Sequence, residues 1–127
     1  MRIVIVEDEA PIREGMEKIL QKLNPSYVLA GKAADGLEGL EVIRKEKPDV
    51  ILMDIRMPVM DGLEASRLIR ALERPDARSV PIVAMSANAF EEDMKKSMES
   101  GMNAHLAKPF QVEELVDTLN RIIAGSR

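Results

Sequence analysis

Five polar residues stand just beyond short apolar runs: Glu7 and Asp8 after Ile3–Val6, Asp54 after Val50–Met53, Ser86 after Val80–Met85 and Lys108 after Asn103–Ala107. Carboxylates gathered in one crevice repel each other unless a cation joins them. With oxygen ligands only, the natural ion is hard and octahedral; Mg²⁺ fits, and Mn²⁺ accepts the same ligands. An ammonium and a hydroxyl added to that site suit a phosphoryl group. Metal and lysine neutralise its oxygens while the serine donates a hydrogen bond. One of the carboxylates can itself be attacked and become an acyl phosphate. Singly, each residue has a simpler reading. Glu7-Asp8-Glu9 reads as a solvated strand end and helix cap, Asp54 and Ser86 as turn or cap residues, and Lys108 as a surface lysine. The conjunction carries the argument.

That conjunction depends on the elements between. Apolar residues at Ile12, Met16, Ile19, Leu20 and Leu23 have helical spacing, stopped by Asn24-Pro25. Tyr27–Ala33 predicts a second strand, and Leu37, Leu40 and Ile43 a second helix capped at Asp35-Gly36. After the strand at Val50–Met53, the stretch from Arg56 to Gly62 is a loop whose Asp61-Gly62 end reads as turn and cap. Ala65, Leu68, Ile69 and Leu72 mark the third helix, and Arg74-Pro75-Asp76 reads as a loop. Phe90, Met94 and Met98 trace a fourth helix closed by Gly101, and Val112 through Ile123 a fifth. Such alternation predicts an α/β fold, a mainly parallel sheet with helices on both faces. Five β–α units suit the flavodoxin-like doubly wound order 2-1-3-4-5, in which the first and third strands are neighbours. Ligands in such sheets bind beyond the carboxyl ends of the strands, where Glu7, Asp8 and Asp54 would converge with Ser86 and Lys108 opposite.

Length and composition narrow the rest. A chain of 127 residues, 46% hydrophobic and 31% charged, predicts one globular domain over residues 1–127. Eighteen basic against 22 acidic residues leave a net charge of −4, and the aromatic residues are one Tyr and two Phe. That balance provides neither a basic face nor a stacking platform for nucleic acid. The lack of cysteine removes disulfides and thiol chemistry, and a single histidine, His105, excludes a multi-histidine metal site. No apolar run approaches the ~18 residues of a membrane helix, so a cytoplasmic protein with no membrane contact is the expectation. A start at Met1 with no effector after Arg127 suits a stand-alone protein, and equally a domain excised from a longer or recombinant chain.

The stretches IVIVEDE, VILMDIRMPVMDG, PIVAMSANA and HLAKPF resemble the receiver domain of bacterial two-component response regulators, chemotaxis regulators included. The likeness covers essentially the whole chain. Its first half resembles receivers of transcription factors, and its second half is similar to receivers of hybrid histidine kinases. The resemblance implies a phosphorylation-controlled switch. Asp54 would accept a phosphoryl group from a phosphohistidine on a sensor kinase or phosphotransfer domain. Asp8, Asp54 and the backbone carbonyl of Arg56 would ligate Mg²⁺, with Glu7 acting through a water. Lys108 would pair with the phosphoryl oxygens and precede a cis bond to Pro109, and Ser86 would swing toward the phosphoryl group. Protein effectors would read the change on the face of the fourth helix, fifth strand and fifth helix.

Three positions depart from the usual receiver pattern. His105 stands three residues before the lysine, where Tyr or Phe is usual. It is either a passive strand residue or a switch residue. Ser86 replaces the commoner Thr, keeping the donor. Arg56 and Asn88, two beyond Asp54 and Ser86, modulate phosphoryl lifetime by the resemblance, and a bulky Arg56 predicts a long-lived phosphoaspartate. An alternative is a Mg²⁺-dependent phosphohydrolase with an aspartate nucleophile. Its second carboxylate, two residues on, would serve as acid and base, and here that residue is Arg56. The chain is thus expected to catalyse its own phosphotransfer and slow dephosphorylation rather than to turn over a separate substrate. A scaffold that binds partners without phosphorylation is a third reading, disfavoured by a full set of acceptor residues. Clustered carboxylates also predict that Mg²⁺ raises the melting temperature, and that Lys108→Ala leaves the metal-free fold nearly intact while uncoupling phosphorylation from switching.

Overall fold

A computed structural model describes residues 1–86, 91–108 and 111–125, with the backbone alone at 91–93. In chain order the elements are β1 (Arg2–Val6), α1 (Ala10–Leu23), β2 (Val28–Ala33), α2 (Gly36–Lys45), β3 (Val50–Asp54) and α3 (Gly62–Arg70). There follow α4 (Pro75–Ser79), β4 (Ile82–Ser86), α5 (Glu91–Glu99), β5 (Ala104–Ala107) and α6 (Val112–Gly125). The strands form one parallel sheet in the order β2-β1-β3-β4-β5, as the alternating pattern predicts.

The central strands bury both faces, and successive residues feed opposite layers. Val4 and Val6 of β1, Ile51 and Met53 of β3, and Ile82 and Ala84 of β4 join Leu40, Ile43, Ala65 and Ile69 from α2 and α3 in one core. Ile3 and Ile5, Val50 and Leu52, and Val83 and Met85 join Met16, Leu20, Leu115 and Leu119 from α1 and α6 in the other. Each buried aliphatic side chain contributes about 1.5–3 kcal/mol. A one-residue slip of β3 would exchange its two faces and lose both layers, so the register of the strand ends is firmly set.

Two differences from the expected elements have local causes. Residues Arg74-Pro75-Asp76 open a short helix rather than a loop. Proline occupies the first helical position, where no amide hydrogen is needed, and Ala77 is buried beneath it. The guanidinium of Arg74 donates to the carbonyls of Ile43 (3.0 Å), Arg44 (2.7 Å) and Glu46 (3.3 Å), closing the C-terminus of α2, and pairs with Asp76 at 2.7 Å. The fourth strand begins at Ile82 instead of Val80, because Pro81 lacks a ladder donor and offers only its carbonyl, to Ile51 N. The strand therefore reaches Ser86, which belongs to the sheet. Asp35 and Asp61 cap α2 and α3 as expected, accepting from the amides of Glu38 and Glu64 at 2.8 Å each.

Candidate functional site

Register brings the site together. Val6 pairs with Met53, so Glu7 and Asp54 leave β1 and β3 side by side. One carboxylate oxygen from each of Glu7, Asp8 and Asp54 lies within 4.8 Å of the others. Glu7 is fully buried, Asp54 is 5% exposed and Asp8 is half-buried. Lys108, beyond the end of β5, reaches across β4: its ammonium forms a close ion pair with Glu7 and lies 3.4 Å from Asp54 Oδ1. The Lys108 amide donates to the Ser86 carbonyl at 2.7 Å, which fixes where the side chain departs. Arg13 holds the other end by donating from its guanidinium to the Glu7 carbonyl at 2.6 Å.

Three carboxylates facing one ammonium carry excess negative charge, and the proton equilibria show the consequence. Burial, then the hydrogen bond and charge of Glu7, push the Asp54 carboxyl up to about 7, with Lys108 opposing. Burial acts in the same direction on Asp8, but hydrogen bonds from Glu7 and Asp54 outweigh it and hold that group below the usual carboxylate range. Burial also works against the charge of Lys108; its bond to Glu7 and the charges of Asp54 and Glu7 prevail and hold the ammonium above ordinary lysine. The cluster therefore gains from any cation that replaces its shared proton. An all-oxygen set of carboxylates at the mouth of a cleft fits Mg²⁺ chemically.

The loop after β3 forms the rim. A cleft of about 560 Å³ opens beside Asp8, lined also by Arg56, Met57, Pro58, Asp61 and Lys96. Arg56 is exposed there. Val59 takes a positive φ of 68°, in a tight turn closed by the Met60 amide on the Pro58 carbonyl at 2.7 Å. For a β-branched residue that conformation costs about 1–3 kcal/mol, so the surrounding loop must hold it. Gly62 has a role beyond the turn and cap read from sequence. A Cβ there would fall 2.2 Å from the Asp54 carbonyl oxygen, while its amide bonds to the Ile55 carbonyl at 2.8 Å. Gly62→Ala is expected to displace the backbone of Asp54, costing about 2 kcal/mol or more by overpacking. Denaturant unfolding would measure it; a variant as stable as the wild type would refute the contact.

Of the residues expected from sequence, Glu7, Asp8, Asp54 and Lys108 meet in one cluster. Ser86 ends β4, buried, with its hydroxyl 2.9 Å from His105 Nε2 on β5. That contact has no signature in the sequence. Asn88, Phe90 and the bond between Lys108 and Pro109 lie outside the described residues.

Residues 3–120 match the family model of the response regulator receiver domain. The chain is 32% identical over 126 residues to the transcriptional regulatory protein PdtaR of Mycobacterium tuberculosis, covering 99% of this chain and 58% of that protein. It is 40% identical over 121 residues to hybrid signal transduction histidine kinase G of Dictyostelium discoideum, covering 95% of this chain and 4% of that kinase. It thus spans little over half of the first relative and a small part of the second. Among solved structures, the receiver domain of sensor histidine kinase PA1611 from Pseudomonas aeruginosa superposes with a TM-score of 0.85 at 40% identity, over 97% of each chain. That structure holds a magnesium ion coordinated in its active-site cleft. Receivers act as phosphoacceptor switches rather than enzymes with a turnover substrate, working between histidine kinases or phosphotransfer partners and effectors. None of these matches is to a phosphohydrolase. By the matched family model and the fold, the chain belongs to the response regulator receiver domains of two-component signalling.

Proposed function

We propose that residues 1–127 act as a single receiver unit in which Asp54 is the phosphoacceptor. The observation that carries this reading is the convergence of Asp54, Asp8, Glu7 and Lys108 on one buried point with too little positive charge. An Asp54 oxygen attacks the phosphorus of a phosphohistidine; the P–N bond breaks and its electron pair returns to the imidazole of the donor. Asp8, Asp54 and the Arg56 carbonyl would hold Mg²⁺ or Mn²⁺, with Glu7 contributing through a water. The metal supplies charge neutralisation for the transferring group. Lys108 leaves its contact with Asp54 to follow the phosphoryl oxygens, and the Ser86 hydroxyl donates to one of them. An effector protein reads the result on the α5–β5–α6 face. The net charge of −4 favours a protein as that output over a nucleic acid. A cytoplasmic setting and the absence of a turnover substrate complete the reading.

Mass spectrometry after incubation with Mg²⁺ and acetyl phosphate tests it. One added phosphoryl group is expected on the wild type, at Asp54, and none on Asp54→Ala; equal labelling of the two would overturn the assignment. Arg56, exposed at the cleft rim, obstructs attacking water, so the label is expected to persist for minutes or longer once the donor is removed. Loss within seconds would refute that role, and Arg56→Ala is expected to shorten the lifetime.

A further inference from the structure

His105 touches the switch hydroxyl itself. Its Nε2 lies 2.9 Å from Ser86 Oγ across the parallel pair of β4 and β5, where Ala84 is paired with His105 and Ser86 with Ala107. Ser86 is buried and His105 half-buried. Away from the serine, the ring lines a cavity of about 420 Å³ between α5 and α6. It therefore stands between the acceptor end of the sheet and the proposed output face.

A serine hydroxyl has one proton to donate. Neutral imidazole with a bare Nε2 accepts it, whereas imidazolium carries hydrogen on both nitrogens and only donates. Protonated His105 would offer Nε2–H to the serine oxygen, and the ring would no longer accept the serine's own proton. A phosphoryl oxygen on Asp54 requires that same proton. We propose that His105 is a positioning residue for Ser86, a latch that holds the hydroxyl when neutral and releases it to the phosphoryl group when charged. Each opening takes up one proton from solvent, at Nε2. A Phe or Tyr ring has no nitrogen acceptor and cannot work in this way. The inference rests on the reading of Ser86 as a phosphoryl hydrogen-bond donor given above.

The surroundings make the titration assignable. Around the ring, α6 supplies Thr118 and Arg121, α5 supplies Met94, β4 supplies Ser86, and Asn103 lies just ahead of β5. Among these described residues Arg121 is the charged one, and arginine does not titrate near neutrality. The Asp54 carboxyl, raised to about 7, does titrate there, so the readout must belong to the imidazole. The chain contains one histidine, and its ring-proton NMR signals report this site alone.

Linkage gives the expected result: if protonation of His105 favours the loaded state, loading must strengthen proton binding at His105 by the same factor. With Mg²⁺ present and beryllofluoride as the phosphoryl mimic, the titration midpoint of His105 is expected to rise over that in Mg²⁺ alone by the equivalent of at least a threefold gain in proton affinity. Ser86→Ala at saturating beryllofluoride is expected to lose most of that gain. An unmoved midpoint in the wild type overturns the latch. So does a gain that survives in Ser86→Ala, which would come from phosphoryl charge alone. His105→Phe provides an independent check, because it removes the acceptor at every pH. It is expected to bind beryllofluoride at least threefold tighter than the wild type near pH ~8 and to lose that advantage near pH ~5.5, on either side of the ordinary histidine midpoint. The same affinity ratio at both pH values overturns the latch. If the amide spectrum shows no uptake of beryllofluoride, the acceptor reading itself has failed and the latch falls with it.

Discussion

Asp54→Asn is expected to melt above the wild type in metal-free solution at neutral and alkaline pH. The Asp54 carboxyl is raised to about 7 in the folded protein from an ordinary value of 3.8. The folded state therefore holds a proton that the unfolded chain has already lost over this interval. A group raised in this way gives its full support below about pH 4 and loses it as pH climbs through about 7. Wild-type stability without metal should thus decline across that window, and the asparagine variant should stay nearly flat. Allowing for solvent screening at the cleft mouth, the difference at pH 8 is about 2 kcal/mol, which for a chain of this size shifts melting by about 5–10 °C. Mg²⁺ should raise the melting temperature of the wild type and have much less effect on Asp54→Asn. Thermal unfolding with and without chelator, near pH ~5 and pH ~8, would measure all of this. Identical melting of the two proteins at both pH values would mean that the carboxylates do not strain the fold.

The second large effect runs in the opposite direction. Lys108 is the cation of the cluster among the described residues, and its partner Glu7 has no exposed surface. Sequence alone predicts a nearly intact metal-free fold for Lys108→Ala, but the depth of Glu7 reverses that expectation. Truncating the lysine leaves a buried carboxylate without its partner, a loss of about 3 kcal/mol. Repulsion from Asp8 and Asp54 adds to it. Adding Glu7→Gln to Lys108→Ala should recover more than half of the loss, since it removes the stranded charge, and saturating Mg²⁺ should recover part. Denaturant midpoints for the two single variants and the double variant close the cycle. Strict additivity, with no recovery in the double variant, would show that the ion pair does not support the fold.

The fold was legible where local pattern determines it. Val50–Met53 and Ile3–Val6 are short buried runs ending in acids, and both are strands within one residue of expectation. Helices α1, α2, α3 and α6 have apolar residues at helical spacing, and the structure buries Met16, Leu20, Leu40, Ile43, Ile69, Leu115 and Leu119 from them. The five residues of α4 were not legible, because a helix barely longer than one turn has no periodicity to detect. Its support is Arg74, which donates to carbonyls 28 to 31 positions earlier. The site divides in the same way. Residue types at strand ends pointed to Glu7, Asp8, Asp54, Ser86 and Lys108, and the sheet order to their shared crevice, but not to the individual contacts among them. The depth of Glu7, the approach of Gly62 to the Asp54 carbonyl and the bond between Ser86 and His105 all arise from packing between distant segments.

The pair of Glu7 and Lys108 spans 101 positions, joining the first strand of the chain to the end of the last. A chain emerging from the ribosome presents Glu7, Asp8 and Asp54 before Lys108 has been made. Such an intermediate holds the acids without the ammonium that completes the pocket. Parallel sheets also form late, because each added strand requires a crossover before it is rewarded. The acidic pocket therefore acquires its balancing charge only when the β5–α6 unit docks, so the pocket is a late, long-range product of folding rather than a property of the first strands.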